Sequence, residues 1–486
     1  MRRSILPVLL TCACLATFSG RIASSTAAPP ESASDTRTAA ETEPPAQDEQ
    51  RSVSFYRHVR PIIQRHCSGC HQPAKSGGEL LLTSFDDLKR GGTQGAAFLA
   101  GKPDESLLIE YVTGDPPLMP LDAEPLSAEQ VATLTKWIAE GARDDTPAAA
   151  IDPVDADHPP VYDAPPVITA LAYSPDGKLL AVSGYHEVLL HRTADGDGEP
   201  VARLVGRGQR IESLAFSPDG KSLAAVGGTP ALFGEVQLWN VETRAPREAR
   251  TFAHDTLFGV SFSDDGKLLA FGAADNRARV VDAESLEPIM RLDTHSDWVF
   301  GTTFSLKNDH LITVSRDMSM KLTIVENGQF VDNITSITPG ALKGGLTAVQ
   351  RHPTKEEVLT GGHDGMPKLY RIFRTQARRI GDDFNRIRSY PTMPGRIFDL
   401  RFDKEGTRFV AGSSTATAGA ARIYETESGK QLFDLAGIEG PIFAVAFHPQ
   451  GAQVAVAGFE GRVRIYDANT GEPVRDFIPV EIAAER

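Results

Sequence analysis

The segment CSGCH, residues 67–71, places two thiols and an imidazole within five consecutive positions. Positions three apart share one face of a helical turn, so Cys67 and Cys70 can act on the same group, and His71 follows directly. Three kinds of chemistry fit this spacing: covalent attachment of a haem through two thioethers, binding of a zinc ion, or a disulfide or thioredoxin-like pair. The rest of the chain has to discriminate between them.

The N-terminus predicts export. MRRSILPVLLTCACLATFSG has two arginines before an apolar stretch and small residues after it, the layout of a secretory signal peptide, here expected over residues 1–28. The apolar stretch is shorter than the ~20 residues that span a bilayer, and no transmembrane segment is expected in the mature chain. We expect a periplasmic or cell-envelope protein, with lipid attachment at Cys12 or Cys14 as a minor alternative.

Signal cleavage would remove two of the four cysteines and leave Cys67 and Cys70. An exported protein whose cysteines precede a histidine as C-x-x-C-H most simply carries haem c. A zinc site needs four ligands, and the nearest extra candidate is His66. A thioredoxin-like motif would lie in a βαβ pattern, which the flanking sequence lacks. We therefore predict one covalently attached haem c, with His71 as the proximal iron ligand.

Met119 is the candidate for the second axial ligand. It is the single methionine between residues 51 and 145, in the run DPPLMP. The prolines at 116, 117 and 120 fix φ and would hold a thioether over the second haem face. Methionine often only fills a core, but this one lies on no periodic apolar face. Methionine and histidine ligation together raise the reduction potential and close the iron to small ligands, which favours electron transfer.

Two helices are expected to flank these residues. Apolar positions at helical spacing from Val59 predict a helix that delivers the motif, with Pro61 in its first turn. In SAEQVATLTKWIAEGA, Ser127 and Gln130 have capping-box spacing, and Gly141 predicts the end of the helix. A small all-α domain can therefore surround the predicted haem.

Residues 51–145 resemble the planctomycete-type cytochrome c domain. The resemblance is carried by VRPIIQRHCSGCHQPAKSGGELLLTSFDDLKRGG, AGKPDESLLIEYVTG, LMP and the closing WIAEGA. It implies thioether attachment at Cys67 and Cys70, proximal ligation by His71, and distal ligation by Met119.

Two acidic stretches rich in proline and alanine punctuate the chain. Residues 29–50 are expected to be a disordered segment, and residues 146–166 are expected to link two domains. Few aromatic or branched residues occur in either stretch, so neither can form a core.

The remainder of the chain, residues 167–486, repeats. Units begin near Ile168, Ile211, Leu257, Trp298, Leu346, Ile397 and Ile442, at spacings of about 40 to 50 residues. Each unit contains an alternating strand, in the clearest copies an SPDG-type turn, and further strands such as VQLWN or RVRIYD. The count predicts an all-β propeller of seven four-stranded blades; six or eight blades are the alternatives.

These units resemble WD repeats, with LWN at 238–240 and IYD at 465–467 as degenerate signatures. The resemblance implies structural hydrogen bonds from His254 to Asp275 and from His295 to Asp317, so these histidines are expected to be scaffold. It also implies a propeller whose faces bind proteins or peptides.

Composition narrows the function. A formal net charge of -14 makes nucleic acid an unexpected partner. The sequence favours a c-type cytochrome for one-electron transfer, with the propeller as docking module for redox partner proteins. Two alternatives stay open: a propeller-based oxidoreductase that passes electrons to the haem, and a binding scaffold with a structural or sensing haem domain. No catalytic residue is predicted, and an enzymatic activity is left undecided.

Overall fold

The computed structural model describes residues 52–483, apart from residues 73–74, 122, 148–153, 195–197, 339–342 and 380. The signal peptide predicted for residues 1–28 and the acidic segment predicted for residues 29–50 lie outside the described residues. Within the described part, no helix is long and apolar enough to cross a membrane. The described residues comprise a small helical region and a much larger region of antiparallel strands.

The helical region occupies residues 52–147. Its α-helices are α1 Arg60–His66, α2 Phe85–Arg90, α3 Leu107–Val112 and α4 Ala128–Ala139. A π-helical turn, Phe55–Val59, precedes α1, and 3-10 turns occupy Gly77–Glu79 and Pro103–Glu105. Strands β1 His71–Gln72 and β2 Lys75–Ser76 form a short antiparallel pair.

Helix α4 follows directly from its own sequence. The backbone N of Gln130 donates to Ser127 Oγ at 3.2 Å, and the backbone N of Ser127 donates to Gln130 Oε1 at 2.8 Å. These reciprocal bonds satisfy two backbone donors that the helix itself leaves unpaired. Gly141, with φ of 99°, follows the last turn. Trp137 and Ile138 are buried in the core of the helical region, so the predicted amphipathic helix is confirmed.

Residues 171–477 form seven units of four antiparallel strands. The first two units share strand β6 and so make one seven-stranded sheet. Residues 202–205 of that strand pair with the first unit, and residues 210–216 pair with the second. The other five units are separate four-stranded sheets.

Within each unit, consecutive strands are neighbours. The strands of the first two units are β3 Leu171–Tyr173, β4 Leu179–Ser183, β5 Tyr185–Arg192, β6 Ala202–Phe216, β7 Ser222–Thr229, β8 Phe233–Asn240 and β9 Pro246–Ala253. Those of the third and fourth units are β10 Leu257–Phe262, β11 Leu268–Ala273, β12 Ala278–Asp282, β13 Pro288–Leu292, β14 Val299–Phe304, β15 His310–Ser315, β16 Met320–Ile324 and β17 Phe330–Asn333. Those of the last three units are β18 Leu346–Arg351, β19 Glu357–Gly362, β20 Lys368–Arg371, β21 Arg386–Ser389, β22 Arg396–Phe402, β23 Arg408–Ser414, β24 Gly419–Glu425, β25 Gln431–Asp434, β26 Ile442–Phe447, β27 Gln453–Gly458, β28 Val463–Asp467 and β29 Pro473–Phe477.

The units are held together by apolar packing between their faces. Strand β7, SLAAVGGT, is buried along its whole length, as expected for a strand covered on both sides. Seven hydrophobic clusters each join two consecutive units. One of these clusters joins the last unit to the first and contains Leu171 and Ala457. Each unit therefore packs against two others.

The turns between first and second strands have the side-chain hydrogen bonds and the glycine conformation that the SPDG sequence predicts. In the first unit, Ser174 Oγ donates to Asp176 Oδ1 at 2.7 Å and accepts from the backbone N of Leu179 at 2.9 Å. Gly177 adopts φ of 73°, the left-handed conformation that glycine accommodates. Equivalent serine and aspartate bonds recur in the second and third units. Local side-chain bonding thus sets the turn in each copy.

One of the two predicted histidine-aspartate pairs is confirmed. His295 Nδ1 lies 2.9 Å from Asp317 Oδ2, and His295 Nε2 lies 2.7 Å from Thr313 Oγ1. Burial alone would raise the pKa of Asp317. The hydrogen bond from His295 opposes this effect and helps to hold that pKa well below its usual range. The pair is buried within its unit and acts as scaffold.

The second predicted pair is wrong. His254 is exposed, and Asp275 instead accepts from Arg279 Nη1 at 3.1 Å. A guanidinium on the neighbouring strand is a charged donor, and charge-assisted bonds are stronger than those of a neutral imidazole. The sequence spacing alone could not rank these two partners.

The last unit takes all four of its strands from the C-terminal end of the chain. Among the residues that the structure describes, β3 pairs with β4 alone, and the first and last units have no strand in common. Contact is made instead by the backbone, where Ile168 N donates to Gly458 O at 3.0 Å. The two ends of the sheet region therefore meet through packing and single bonds.

Contacts of Tyr162 also stabilise the junction between the two ends. Tyr162 pairs in parallel with Ile482, and its hydroxyl donates to Glu187 Oε1 at 2.7 Å. The Glu187 side chain is fully buried, and Arg203 Nε donates to Glu187 Oε2 at 2.7 Å. The end of the stretch expected to be a linker is thus packed into the sheet region, because Tyr162 belongs to its core.

We expect Tyr162→Phe to lower the free energy of unfolding by about 1.5–3 kcal/mol, because it removes a hydrogen bond to a buried carboxylate. Urea denaturation of the whole chain, followed by far-ultraviolet circular dichroism, measures this change. Tyr56→Phe, which removes a hydroxyl from the helical region, is the control. An unchanged urea midpoint for Tyr162→Phe would show that the hydrogen bond from Tyr162 to Glu187 contributes nothing to stability.

Candidate functional site

The CSGCH segment forms one helical turn at the C-terminal end of α1. The backbone N of Cys70 and the backbone N of His71 both donate to Cys67 O, each at 3.1 Å. Ser68 Oγ donates to Leu82 O at 3.0 Å and so ties the turn to the following chain. Cys67, Cys70 and His71 therefore lie on one hydrogen-bonded turn.

Cys67 and Cys70 are not joined in a disulfide in the structure. Cys70 is exposed, whereas Cys67 packs against the core of the helical region. Burial, and next the neighbouring Cys70, raises the pKa of the Cys67 thiol to about 11. Cys67 is therefore protonated at neutral pH and is a poor thiolate nucleophile.

The imidazole of His71 is oriented by a backbone carbonyl. His71 Nδ1 lies 3.2 Å from Leu80 O, and the backbone N of Leu82 donates to His71 O at 2.8 Å. A carbonyl oxygen only accepts, so this contact assigns the proton to Nδ1 and leaves the lone pair on Nε2. Metal-binding histidines commonly use this second contact to set tautomer and ring orientation. Sequence reasoning missed Leu80, since nothing in its local pattern marks the contact.

Met119 lies in the loop after α3. Its backbone N donates to Tyr111 O at 2.8 Å, and its half-buried side chain packs against the same hydrophobic core as Cys67. Its neighbours Leu118 and Leu121 are exposed, by 61% and 67%. The structure thus places the loop of the predicted distal ligand and the CSGCH turn on one core.

His66, the extra candidate ligand for zinc, has a different contact. His66 Nε2 lies 3.0 Å from Gln130 Nε2 in the first turn of α4. Over the described ranges, no three histidine, cysteine, aspartate or glutamate side chains group as a metal site. A haem needs no such cluster, because it takes two axial ligands from the protein.

A second candidate site lies in the sheet region and was not found from the sequence. A cavity of about 450 Å³ is lined by the innermost strands of all seven units: β3, β6, β10, β14, β18, β22 and β26. Its lining residues are far apart in the chain and carry no motif. Only the arrangement of the units brings them together.

Two ion pairs belong to the wall of this cavity. Arg210 Nε lies 3.0 Å from Glu212 Oε1, and Arg401 Nη2 lies 3.3 Å from Asp399 Oδ1. Burial raises the pKa of both carboxyl groups above their usual range, against the opposing effect of each arginine. Asp399 Oδ2 also accepts from the backbone N of Val445 at 3.1 Å, which joins neighbouring units.

One side of the cavity is aromatic. Trp298 stacks on Phe258 with ring centroids 5.9 Å apart, and Phe300 meets Phe258 edge to face at 5.2 Å. Arg316 Cζ lies 4.6 Å from the Trp298 ring, while its Nε donates to Asp297 Oδ2 at 2.8 Å. Arginine stacked on an aromatic ring is a frequent feature of recognition surfaces.

The arginine-rich stretch at 371–388 has an internal explanation. Arg378 Nη2 lies 2.7 Å from Asp332 Oδ1, and Arg374 lies 3.2 Å from both Asp332 and Asp382. The side chains of Arg374 and Arg378 are largely buried in these ion pairs. Arg371, Arg379 and Arg386 of the same stretch are exposed.

Comparison with known proteins finds similarity in both regions. Residues 67–120 match the family model Planctomycete cytochrome C, and residues 247–282 and 429–467 match WD domain, G-beta repeat. The cytochrome match begins at Cys67 and ends next to Met119, so it includes all four residues predicted to hold a haem. Both resemblances stated from the sequence are confirmed.

The curated relatives match the repeats only at low identity. The chain is 22% identical over 236 residues to Eukaryotic translation initiation factor 3 subunit I of Mycosarcoma maydis, which covers 47% of this chain and 55% of that protein. It is 26% identical over 262 residues to Guanine nucleotide-binding protein subunit beta of Arabidopsis thaliana, covering 50% and 65%. The chain thus spans less than two thirds of each relative. Together with the four-stranded units, these matches support a WD-repeat β-propeller.

The raised pKa of Cys67 predicts unequal alkylation in apoprotein made without haem attachment. At pH 8, about one Cys67 thiol in a thousand is ionised when its pKa is about 11, so iodoacetamide should modify exposed Cys70 first. Peptide mass spectrometry over time measures both sites. The Cys67 rate should rise as pH approaches 11, and equal rates at pH 8 would contradict the assignment.

Proposed function

We propose that the protein is an exported c-type cytochrome that transfers single electrons, with its WD-repeat propeller serving as a protein-interaction module. The observation that carries the proposal is the CSGCH turn, where the contact from His71 Nδ1 to Leu80 O leaves Nε2 as a ligand in the same turn as Cys67 and Cys70. The residues present fit a covalently attached haem c in both donor chemistry and tautomer.

Each side chain has a distinct task in this proposal. Cys67 and Cys70 would hold the porphyrin through thioethers, and His71 Nε2 and the Met119 thioether would bind its iron. When bound, haem c supplies a one-electron couple between ferric and ferrous iron. Leu80 positions the His71 ring, and the buried core behind Cys67 fixes the turn. Two protein ligands leave no open position for a small molecule, which favours electron transfer over iron-centred catalysis.

We also propose the domain organisation that the sequence predicts, with a cytochrome c domain at 51–145, a linker at 146–166 and a closed seven-bladed propeller at 167–486. Support for closure comes from the cluster that joins the last unit to the first, and from the cavity to which all seven innermost strands contribute. Because Tyr162 is packed in the propeller core, the linker is anchored before its predicted end.

Protein interaction is the role proposed for the propeller. Two matched relatives are named as subunits, of a translation initiation factor and of a guanine nucleotide-binding protein. By analogy, this propeller would dock a redox partner protein in the periplasm or cell envelope, after export directed by residues 1–28. A fold alone assigns no reaction, so the electron-transfer role depends on the cytochrome residues.

The double variant Cys67→Ala with Cys70→Ala should have no covalently bound haem when produced in a host with c-type cytochrome maturation. Intact mass and the reduced-minus-oxidised spectrum measure the loss. Gly69→Ala is the matched control, because a methyl group there meets no atom within 4 Å, and it should keep the haem mass. A double variant that retains covalent haem would refute the attachment site.

Met119→Ala should open one axial position of the iron and lower its midpoint potential, by on the order of 100 mV within the roughly 0.8 V range that axial ligands set. Redox titration and carbon monoxide binding to the reduced protein measure the two effects. Leu118→Ala removes an exposed neighbouring side chain and should change neither. An unchanged potential in Met119→Ala would assign the second ligand elsewhere.

A further inference from the structure

We propose that the basic mouth of the propeller cavity binds a carboxylate-bearing peptide segment of a partner protein. The basic mouth consists of Trp298, Arg316, His363, Arg396 and Phe398, all of which line the cavity. The inference rests on the proposed role of the propeller in protein interaction. It specifies the part of the propeller that binds and the chemistry that it recognises.

Strand topology places these residues at one end of the units. Trp298 precedes β14, Arg316 follows β15, His363 follows β19, and Arg396 begins β22. First and second strands are antiparallel, so the start of one and the end of the next lie at the same end. The residues come from the fourth, fifth and sixth units, which are consecutive. One short segment of a partner can therefore contact all of them.

The charges of Arg316 and Arg396 act on His363, which indicates that the three side chains are close. Burial, followed by the charges of Arg396 and Arg316, lowers the pKa of His363. The nearby carboxylate of Asp364 acts in the opposite direction, but it is already paired with Lys368 Nζ. A carboxylate arriving from a partner would meet two guanidinium groups, and bidentate arginine-carboxylate bonds are among the strongest polar contacts.

The charge of the cavity differs in sign from that of the chain. Its lining has four arginines but two carboxylates, whereas the whole sequence has a net charge of -14. Arg210, 54% exposed, and Arg401 are paired with the two carboxylates of the lining, whereas Arg316, 44% exposed, is paired with Asp297, which does not line the cavity. Arg396 is exposed as well. A local positive patch on an acidic protein selects an acidic ligand.

Exposed apolar groups indicate a peptide rather than a small anion. Phe398 is 36% exposed and meets Phe443 edge to face at 5.2 Å. Val167 and Phe459, at the same end of the first and last units, are also exposed. A bare anion would leave these side chains in water. A peptide with an apolar residue beside its carboxylate would cover them, and aromatic and arginine side chains dominate binding in such interfaces.

Selection of random dodecapeptides displayed on phage, with the haem-loaded full chain as bait, tests the proposal. Peptides recovered on the wild type should be enriched in aspartate or glutamate next to aromatic or aliphatic residues. Replacement of their acidic residues by amides, and Arg396→Glu in the protein, should each weaken binding at least tenfold by fluorescence anisotropy. Lys221→Glu, an equal charge reversal at a turn between first and second strands, should bind as the wild type does.

Three results would overturn the proposal. Enriched peptides without acidic residues would refute the ligand chemistry. Acidic peptides whose binding is unaffected by Arg396→Glu would place the site elsewhere, while leaving the propeller an interaction module. Failure to enrich any peptide on a bait with normal circular dichroism and a normal haem spectrum would count against both the mouth and the interaction role, but not against electron transfer.

Discussion

Burial of both faces of every sheet unit is the constraint on which the propeller depends. A sheet with two apolar faces cannot stand alone in water, and each of the seven units satisfies this requirement by packing against two others. This requirement explains why the first and last units meet although no strand is shared between them. It also brings the innermost strands around one cavity, where side chains from distant parts of the chain can act together.

Buried polar groups also join the two ends of the sheet region, and their hydrogen bonds require defined partners. Glu187 is fully buried and is satisfied by both Arg203 and the Tyr162 hydroxyl. Loss of one partner from such a group is costly, because a buried charge is left incompletely paired. The same principle applies to Asp399 and Glu212 in the cavity, where paired arginines offset part of the cost of burial. Among the four arginines of the cavity, Arg210 and Arg401 have their carboxylate partners in the cavity lining, whereas Arg396 is exposed and Arg316 is 44% exposed beside Asp297.

In the helical region, a single backbone contact sets the tautomer of His71 in the CSGCH turn. Two thiols and an imidazole are compatible with several metals and with disulfide chemistry. The carbonyl of Leu80 assigns the His71 proton to Nδ1, and the packing of Cys67 against the core keeps that thiol protonated. Cys67 is therefore poorly suited to act as a thiolate nucleophile.

Much of this architecture was predictable from local sequence. The capping box of Ser127 and Gln130, the serine and aspartate turns, and the repeat period depend on neighbours in the chain, so the sequence by itself determined helix α4, the turns and the strand units. Tertiary structure alone decided that Asp275 pairs with Arg279 rather than His254, that Leu80 orients His71, and that a basic mouth forms around Trp298. The first two contacts are short in sequence, but they lie in turns whose spacing has no strand or helix pattern to mark the partner, whereas the basic mouth gathers residues of three units only when the sheets pack.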